Sequence, residues 1–216
     1  SLAGLWRLGR DAAASPGLTG ESNRSRDLTV AEQFVARLAD LPDIESVSTC
    51  ERQPLSGMSP QTDVKSAALR VAYNRVGPQY FRTVGIPMIR GRDFSEAEAK
   101  ANAPVAIVSE GTASRIWPGE EALGKMIELA DDGVARQVVG VVSNARVGIL
   151  WRPEDAHVYL PIGSRSAYTI FRAPSWSPSA AELKLRNEAA RVHPALNAPV
   201  RAIEDSLEFA YAPFRF

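Results

Sequence analysis

The sequence contains one cysteine, Cys50, and two histidines, His157 and His193, so any cysteine nucleophile with a histidine base must come from these three. His157 stands in an apolar stretch beside Tyr159, and His193 precedes Pro194 at the end of a helical pattern. Neither spacing matches a Cys/His signature, and Cys50 reads as a small buried hydrophobe. One cysteine and two distant histidines do not supply a close ligand set of the usual zinc kind. Asp93, Glu96 and Glu98 lack calcium-loop spacing and read as a capped helical turn with Asp93 or Ser95 at its start. Gly77, Gly85 and Gly91 are too widely spaced for a glycine-rich phosphate fingerprint. Gly124-Lys125 follows Leu123 and precedes a strand pattern, so it reads as a turn. No serine sits in a Gly-x-Ser-x-Gly elbow. The reading is therefore a chain that is not an enzyme, with no catalytic residue, no metal ligand, no cofactor and no ATP site of its own.

Composition narrows the partners. The 216 residues carry 25 Lys plus Arg against 25 Asp plus Glu, for zero net charge and a pI of about 6.7. A nucleic-acid binder normally carries a basic excess, so none is expected as a partner. The length allows one or two domains with a real core. The longest apolar runs, 105–108 and 138–142, fall far short of the roughly 20 residues of a spanning helix. The stretch SLAGLWRLGRDAAASPG is too polar for a signal-peptide core. A single cysteine excludes an internal disulfide and leaves the compartment open.

The elements that would position side chains change texture along the chain. Residues 1–10 read as a strand and 11–28, rich in Ser, Gly and charge, as a loop. Thr29 and Glu32 form a capping box for a helix whose Phe34, Val35, Leu38 and Leu41 face a core, ended by Pro42-Asp43. Residues 44–50 alternate apolar and polar as a strand, and 66–76 read as another. Between 78 and 163 the pattern is of short strands: 86–89, 104–108, 125–129, 136–142 and 157–160. A helical turn carries Tyr80, Phe81 and Val84 and ends at Gly85, and Gly91 turns the chain into Phe94. A short helix over 109–117 stops at Pro118-Gly119, with Trp117 expected to plug a core. Asp131-Asp132-Gly133 signals a hairpin.

From Tyr168 the first texture returns: a strand, a helix capped by Ser177 or Ser179 that runs to about Val192 and carries Leu183, Leu185, Ala189 and Ala190 as its apolar stripe, and a strand over 198–203. Strand–helix–strand units at both ends predict an α+β fold with a ferredoxin-like, porter-like βαβ lobe. That lobe is discontinuous, 1–76 plus 165–216, and a β-rich lobe is inserted at 78–163. Leu5 and Phe34 should then meet Leu183 or Val200 in one core.

The segment from Tyr73 to Ile127 and the segment from Arg136 to Ile162 resemble the MacB-like periplasmic core domain of FtsX-like ABC-transporter permeases. The motifs are YFRTVGIPMIRGRDF (Tyr80, Phe81, Gly85, Gly91, Phe94), VAIVSE, WPGEEALGK (Trp117, Pro118, Gly119, Gly124), VVGVV (Gly140) and VYLP (Tyr159, Pro161). The resemblance covers 30–216, and residues 1–28 depart from the family's short first strand and loop. These motif residues are read as architectural, a ligand-stacking role for Trp117 being the alternative.

The resemblance implies a domain outside the cytoplasmic membrane, between the first two membrane helices of a longer permease. It implies a cytoplasmic ABC ATPase reached through those helices, a second permease copy, and a periplasmic adaptor or substrate. The implied role is mechanotransmission, in which ATP hydrolysis drives movement outside the membrane for efflux, lipoprotein handling or signalling. The rival reading is a periplasmic binding or scaffolding module that recruits an adaptor or cell-wall hydrolase. Family members handle varied cargo with similar outer domains, so the residues do not name the substrate.

Overall fold

The computed structural model describes residues 4–8, 33–54, 59–145, 156–162, 168–192 and 200–203. The expected loop over 11–28, the Thr29/Glu32 capping box and the His193 helix end lie outside them. Strand β1 (Leu5–Leu8), helix α1 (33–39) and strand β2 (Ser46–Cys50) form the first unit. Strand β10 (Tyr168–Arg172), helix α5 (Pro178–Val192) and strand β11 (Val200–Ala202) form the last. Their strands lie in the antiparallel order β11-β1-β10-β2, the spatial order of a split βαβ arrangement.

Both helices cover one face of these four strands. Trp6, Phe34, Leu38, Ile44, Val47, Phe171, Trp176 and Leu185 form the outer core between them. Pro178 opens α5, where its missing N–H costs nothing, and Ser177 Oγ accepts the Ala180 N–H at 3.3 Å. The buried stripe of α5 is Ala181, Leu185, Glu188 and Ala189, at i, i+4, i+7 and i+8. Leu183 sits two residues off that row, on the far face, and is 60% exposed; Ala190 is exposed as well. The stripe expected from the sequence is corrected there. Glu188 is buried because Arg37 of α1 and Arg191 both bind its carboxylate. Asp43, after α1, is similarly held by Lys184 of α5 and accepts from Trp176 Nε1 at 3.4 Å.

The middle of the chain closes on itself. The strands are β3 (Gln61–Val64), β4 (Leu69–Val76), β5 (Met88–Gly91), β6 (Val105–Ser109), β7 (Met126–Glu128), β8 (Ala135–Val142) and β9 (His157–Pro161). The ladder runs β3-β4-β9-β6-β8-β7, and β7 returns to β3 through the Val64–Leu129 bridge. Lys65 N–H to Glu128 O at 3.0 Å and Ala130 N–H to Asp63 O at 2.9 Å complete that closure. Val64, Val71, Val108, Ile127, Leu129, Val138, Val158 and Leu160 fill the interior. The polar-alternating β3 is absent from the sequence reading, in which 66–76 is one strand; β3 and β4 share their buried side chains with β6, β8 and β9. Asp131-Asp132-Gly133 turns between β7 and β8, with Gly133 at φ +64°.

Strands β6 and β9 are buried on both faces, as their unbroken apolar runs require. Ala106, Val108, Val158 and Leu160 face the ring interior, while Val105, Ile107 and Tyr159 face outward into a third core. That middle core also takes Leu5, Cys50, Ile170 and Ile203 from the other side of the four-stranded sheet. Leu5 therefore faces the middle core and Phe34 the outer one, so they do not share a core as the sequence reading expected. Helix α2 (Tyr80–Val84) lies in this middle layer.

Candidate functional site

The family-motif residues divide into three groups. Tyr80, Phe81, Phe94 and Tyr159 converge in the middle core, each at most 3% exposed. Phe81 meets Tyr159 edge-on with ring centroids 4.9 Å apart, and Tyr80 meets Phe81 edge-on at 5.5 Å. Tyr80 and Tyr159 are 6.0 Å apart, and the His157 ring stacks on Tyr159 at 6.0 Å. These are favourable aromatic geometries, each contributing about 0.5–1.5 kcal/mol beyond area burial. Gly85 ends α2 in the left-handed region at φ +79°, its N–H bound to the Phe81 carbonyl at 2.9 Å. Pro161 ends β9 opposite Val76.

Gly91 and Gly140 form the second group, opposite each other where β5 pairs antiparallel with β8. A Cβ on Gly91 would lie 2.2 Å from the Val139 carbonyl oxygen and 2.9 Å from Gly140 Cα; one on Gly140 would lie 2.6 Å from the Arg92 carbonyl oxygen. The backbones touch, and only glycine permits it. Strand β5 is Met88–Gly91 rather than the expected 86–89, because Ile86 packs into the middle core and Pro87 has no N–H to give. Pro87 still accepts the Ser143 N–H, at 3.0 Å.

Trp117, Pro118, Gly119 and Gly124 make the third group, a turn after helix α4 (Glu110–Ile116). Trp117 caps α4 but is only half-buried, packed against the rim of the ring core rather than plugging it. Pro118, Gly119 and Gly124 are exposed.

The residues singled out for possible chemistry are placed differently. Cys50 is fully buried, and burial pushes its thiol up, the reverse of what a thiolate nucleophile needs. Burial likewise raises the Tyr80 and Tyr159 hydroxyls. The His157 backbone is fixed between Ser109 Oγ, which accepts its N–H at 3.0 Å, and Thr112 Oγ1, which donates to its carbonyl at 3.0 Å. Among the described residues no group of three or more His, Cys, Asp or Glu side chains is placed to hold a metal ion.

Asp93 and Glu98 do local structural work. Asp93 accepts the Phe94 N–H at 2.7 Å, and desolvation raises its carboxyl. Glu98 closes the capping box of helix α3 (Glu96–Ala101), accepting the Ser95 N–H at 2.9 Å while Ser95 Oγ accepts the Glu98 N–H at 3.2 Å. Arg92 binds the same carboxylate through both terminal nitrogens at 2.7 Å. Arg92 chiefly holds the Glu98 carboxyl down to about 2 from an ordinary 4.5. A depressed folded-state value contributes stability that is present above 4.5 and is lost as pH falls toward 2. Urea midpoints should thus drop across that window, and Glu98→Gln should flatten the drop. Parallel pH profiles for both proteins would show that this carboxylate adds nothing.

The sequence reading missed the partners that complete the aromatic cluster. Arg172 of β10 donates from Nε to the Thr83 carbonyl at 2.8 Å, tying the four-stranded sheet to α2. Asn74 of β4 hydrogen-bonds the Tyr80 hydroxyl, and it also donates to the Arg52 carbonyl at 2.8 Å and accepts its N–H at 3.2 Å. A charged residue inside the apolar strand TIFR was the available signal for the first.

The motif residues thus lie in a core, at a close approach of two strands and in a turn of an α+β domain. The chain belongs to the family of MacB-like periplasmic core domains, whose model matches residues 4–198. By its family it is an extracytoplasmic domain of the MacB periplasmic type.

Its relatives include the macrolide export ATP-binding/permease protein MacB of Shewanella sp. (strain ANA-3), 27% identical over 127 residues. That match covers 56% of this chain and 18% of the relative. The probable export protein MacB of Pseudomonas entomophila (strain L48) is 29% identical over 109 residues, or 50% of this chain and 16% of the relative. The chain thus spans under a fifth of these proteins.

The fold matches the periplasmic region of MacB from Actinobacillus actinomycetemcomitans with a TM-score of 0.59 at 16% identity, covering 99% of this chain and 94% of that one. It also matches the extracellular domain of the transporter YknZ from Gram-positive bacteria, with a TM-score of 0.51 at 15% identity, covering 79% and 87%.

Among the described residues no helix is long and apolar enough to cross a membrane.

Proposed function

We propose that this domain carries movement: a cytoplasmic ABC ATPase drives the membrane helices of the full permease, and the domain turns their displacement into work outside the membrane. The work is efflux, lipoprotein handling or signalling, performed with a second permease copy and on a periplasmic adaptor or substrate. The domain itself catalyses nothing.

One observation carries this reading. Strand β11 pairs antiparallel with β1, Trp6 opposite Ala202 and Leu8 opposite Val200, so the first and last described strands lie side by side in one sheet. Force entering from either direction along the chain therefore loads the same four strands. We also propose a two-lobe organisation, the four strands with α1 and α5 forming the discontinuous lobe. The pairing of β4 with β3 and β9 and their shared core support drawing the inserted lobe to include β3 and β4, with the lobes joined where β2 meets β4.

The test replaces the domain with a flexible linker in the full permease, assembled with its ATPase. ATP hydrolysis should persist while export or signalling output is lost. Output that survives without the domain would overturn the proposal.

A further inference from the structure

The two halves of the molecule share very little strand ladder. Strand β10 runs alongside β2 from Ser46 to Cys50, and β9 alongside β4 from Ala72 to Val76. Between β2 and β4 the register holds one pair, Cys50 opposite Val76. Around it Gly77 N–H reaches the Thr49 carbonyl at 2.8 Å, and Glu51 N–H reaches the Arg75 carbonyl at 2.9 Å. The Arg75–Glu51 ion pair at the rim is long, at 3.9 Å, and both side chains are well exposed, so it contributes little. Ser48 Oγ adds a bond to the Gly77 carbonyl at 3.3 Å, and Asn74 adds its two bonds to the Arg52 backbone. A handful of hydrogen bonds of this kind, each of modest net worth, would not by themselves lock the two halves together.

What lies beside the seam decides otherwise. Helix α2 puts Tyr80, Phe81 and Val84 into the middle core, between Leu5, Cys50 and Ile170 on one side and Ile107, Val142 and Tyr159 on the other. The rings of Tyr80, Phe81 and Tyr159 alone bury on the order of 450–750 Å². Opening the seam exposes that surface, which makes it comparable to unfolding the chain. The helix is five residues long, begins after Gln79 at φ +61° and ends at Gly85 at φ +79°, and is held from the far sheet by Arg172. Two left-handed residues around a single helical turn fix where its aromatic pair points.

We infer that α2 is the joint of the molecule: the YFRTVG turn, and not the strand ladder, makes the two halves one mechanical body. The inference rests on packing alone and holds whatever the domain does in the permease. It also gives the motif residues Tyr80, Phe81, Gly85 and Tyr159 a shared role.

The sole cysteine supplies the probe, because Cys50 sits fully buried at the one register pair of the seam. Its labelling by a thiol reagent is followed across a urea series in the 216-residue chain carrying Trp117→Phe and Trp151→Phe, beside unfolding read from the fluorescence of the remaining Trp6 and Trp176 in the outer core. In the parent protein labelling should track global unfolding, with the same urea dependence. Phe81→Ala should uncouple the two: labelling without urea rises roughly a hundredfold or more and becomes nearly independent of urea, while the tryptophan transition remains cooperative. Leu38→Ala, a cavity of similar cost in the outer core, should leave labelling and unfolding coincident. If Phe81→Ala does not fold, Arg172→Met offers a milder break, with labelling faster by roughly 5- to 30-fold. Two results would overturn the inference: shallow, urea-independent labelling in the parent protein, or identical behaviour of the α2 and Leu38 variants.

Discussion

Tyr159→Ala is expected to destabilise the domain by about 3–5 kcal/mol, the range for deleting a large buried aromatic ring. Tyr159 is 1% exposed and lies against Phe81, Tyr80 and His157. It stands on β9, whose neighbours Val158 and Leu160 fill the ring on the opposite face. The cavity cannot collapse by moving β9, because that movement would pull both neighbours out of the ring. Urea unfolding measures the loss. Tyr159→Phe keeps the ring and should recover most of it, since burial of the hydroxyl contributes less than the aromatic body. A Tyr159→Ala protein within about 1 kcal/mol of the parent would contradict the central place given to this core.

The second large effect separates two glycines that look alike in dihedral angle. Gly91 has φ +76° and Gly119 has φ +77°. At Gly119 a Cβ meets nothing within 4 Å, so Gly119→Ala should cost only the left-handed backbone penalty of about 1–2 kcal/mol. At Gly91 the same penalty applies, and the new Cβ also falls 2.2 Å from a carbonyl oxygen and 2.7 Å from Leu123 Cδ2. Neither the oxygen nor Gly140 can yield without shifting a strand. Overpacking of that kind adds about 1–3 kcal/mol, so Gly91→Ala should cost about 2–5 kcal/mol. Equal midpoint shifts for the two variants would mean that the β5–β8 pairing relaxes freely.

Much of this architecture was legible in the sequence because its signals are local. The helical stripe of Phe34 and Leu38, the alternation in 44–50, the Tyr80–Gly85 turn and the short helix stopped by Pro118-Gly119 each declare themselves within a few residues. The ring did not. Its closure depends on Val64 meeting Leu129, and β3 reads Gln-Thr-Asp-Val, a polar stretch that becomes a strand only because β4 pairs with it. The stripe of α5 was misread at Leu183 because hydrophobicity alone favours a leucine over Glu188, which is buried only once Arg37 and Arg191 neutralise it. The motif residues were found by resemblance and read as architectural. Their division into an aromatic joint, a close-packed strand pair and an exposed turn needed the third dimension. Trp117 shows the limit most plainly: it ends a helix beside a core, yet its ring covers the rim and stays half-exposed.

Distance measurement in the working permease tests the mechanical account most directly. Spin labels at Glu96 on α3 and Asn187 on α5, both exposed, would report within one domain, and labels at Asn187 alone would report between the two permease copies. Under ATP turnover the Glu96–Asn187 distance within the domain should stay unchanged while the Asn187–Asn187 distance between copies shifts. A between-copy distance that stays fixed while ATP is hydrolysed and output continues would contradict it.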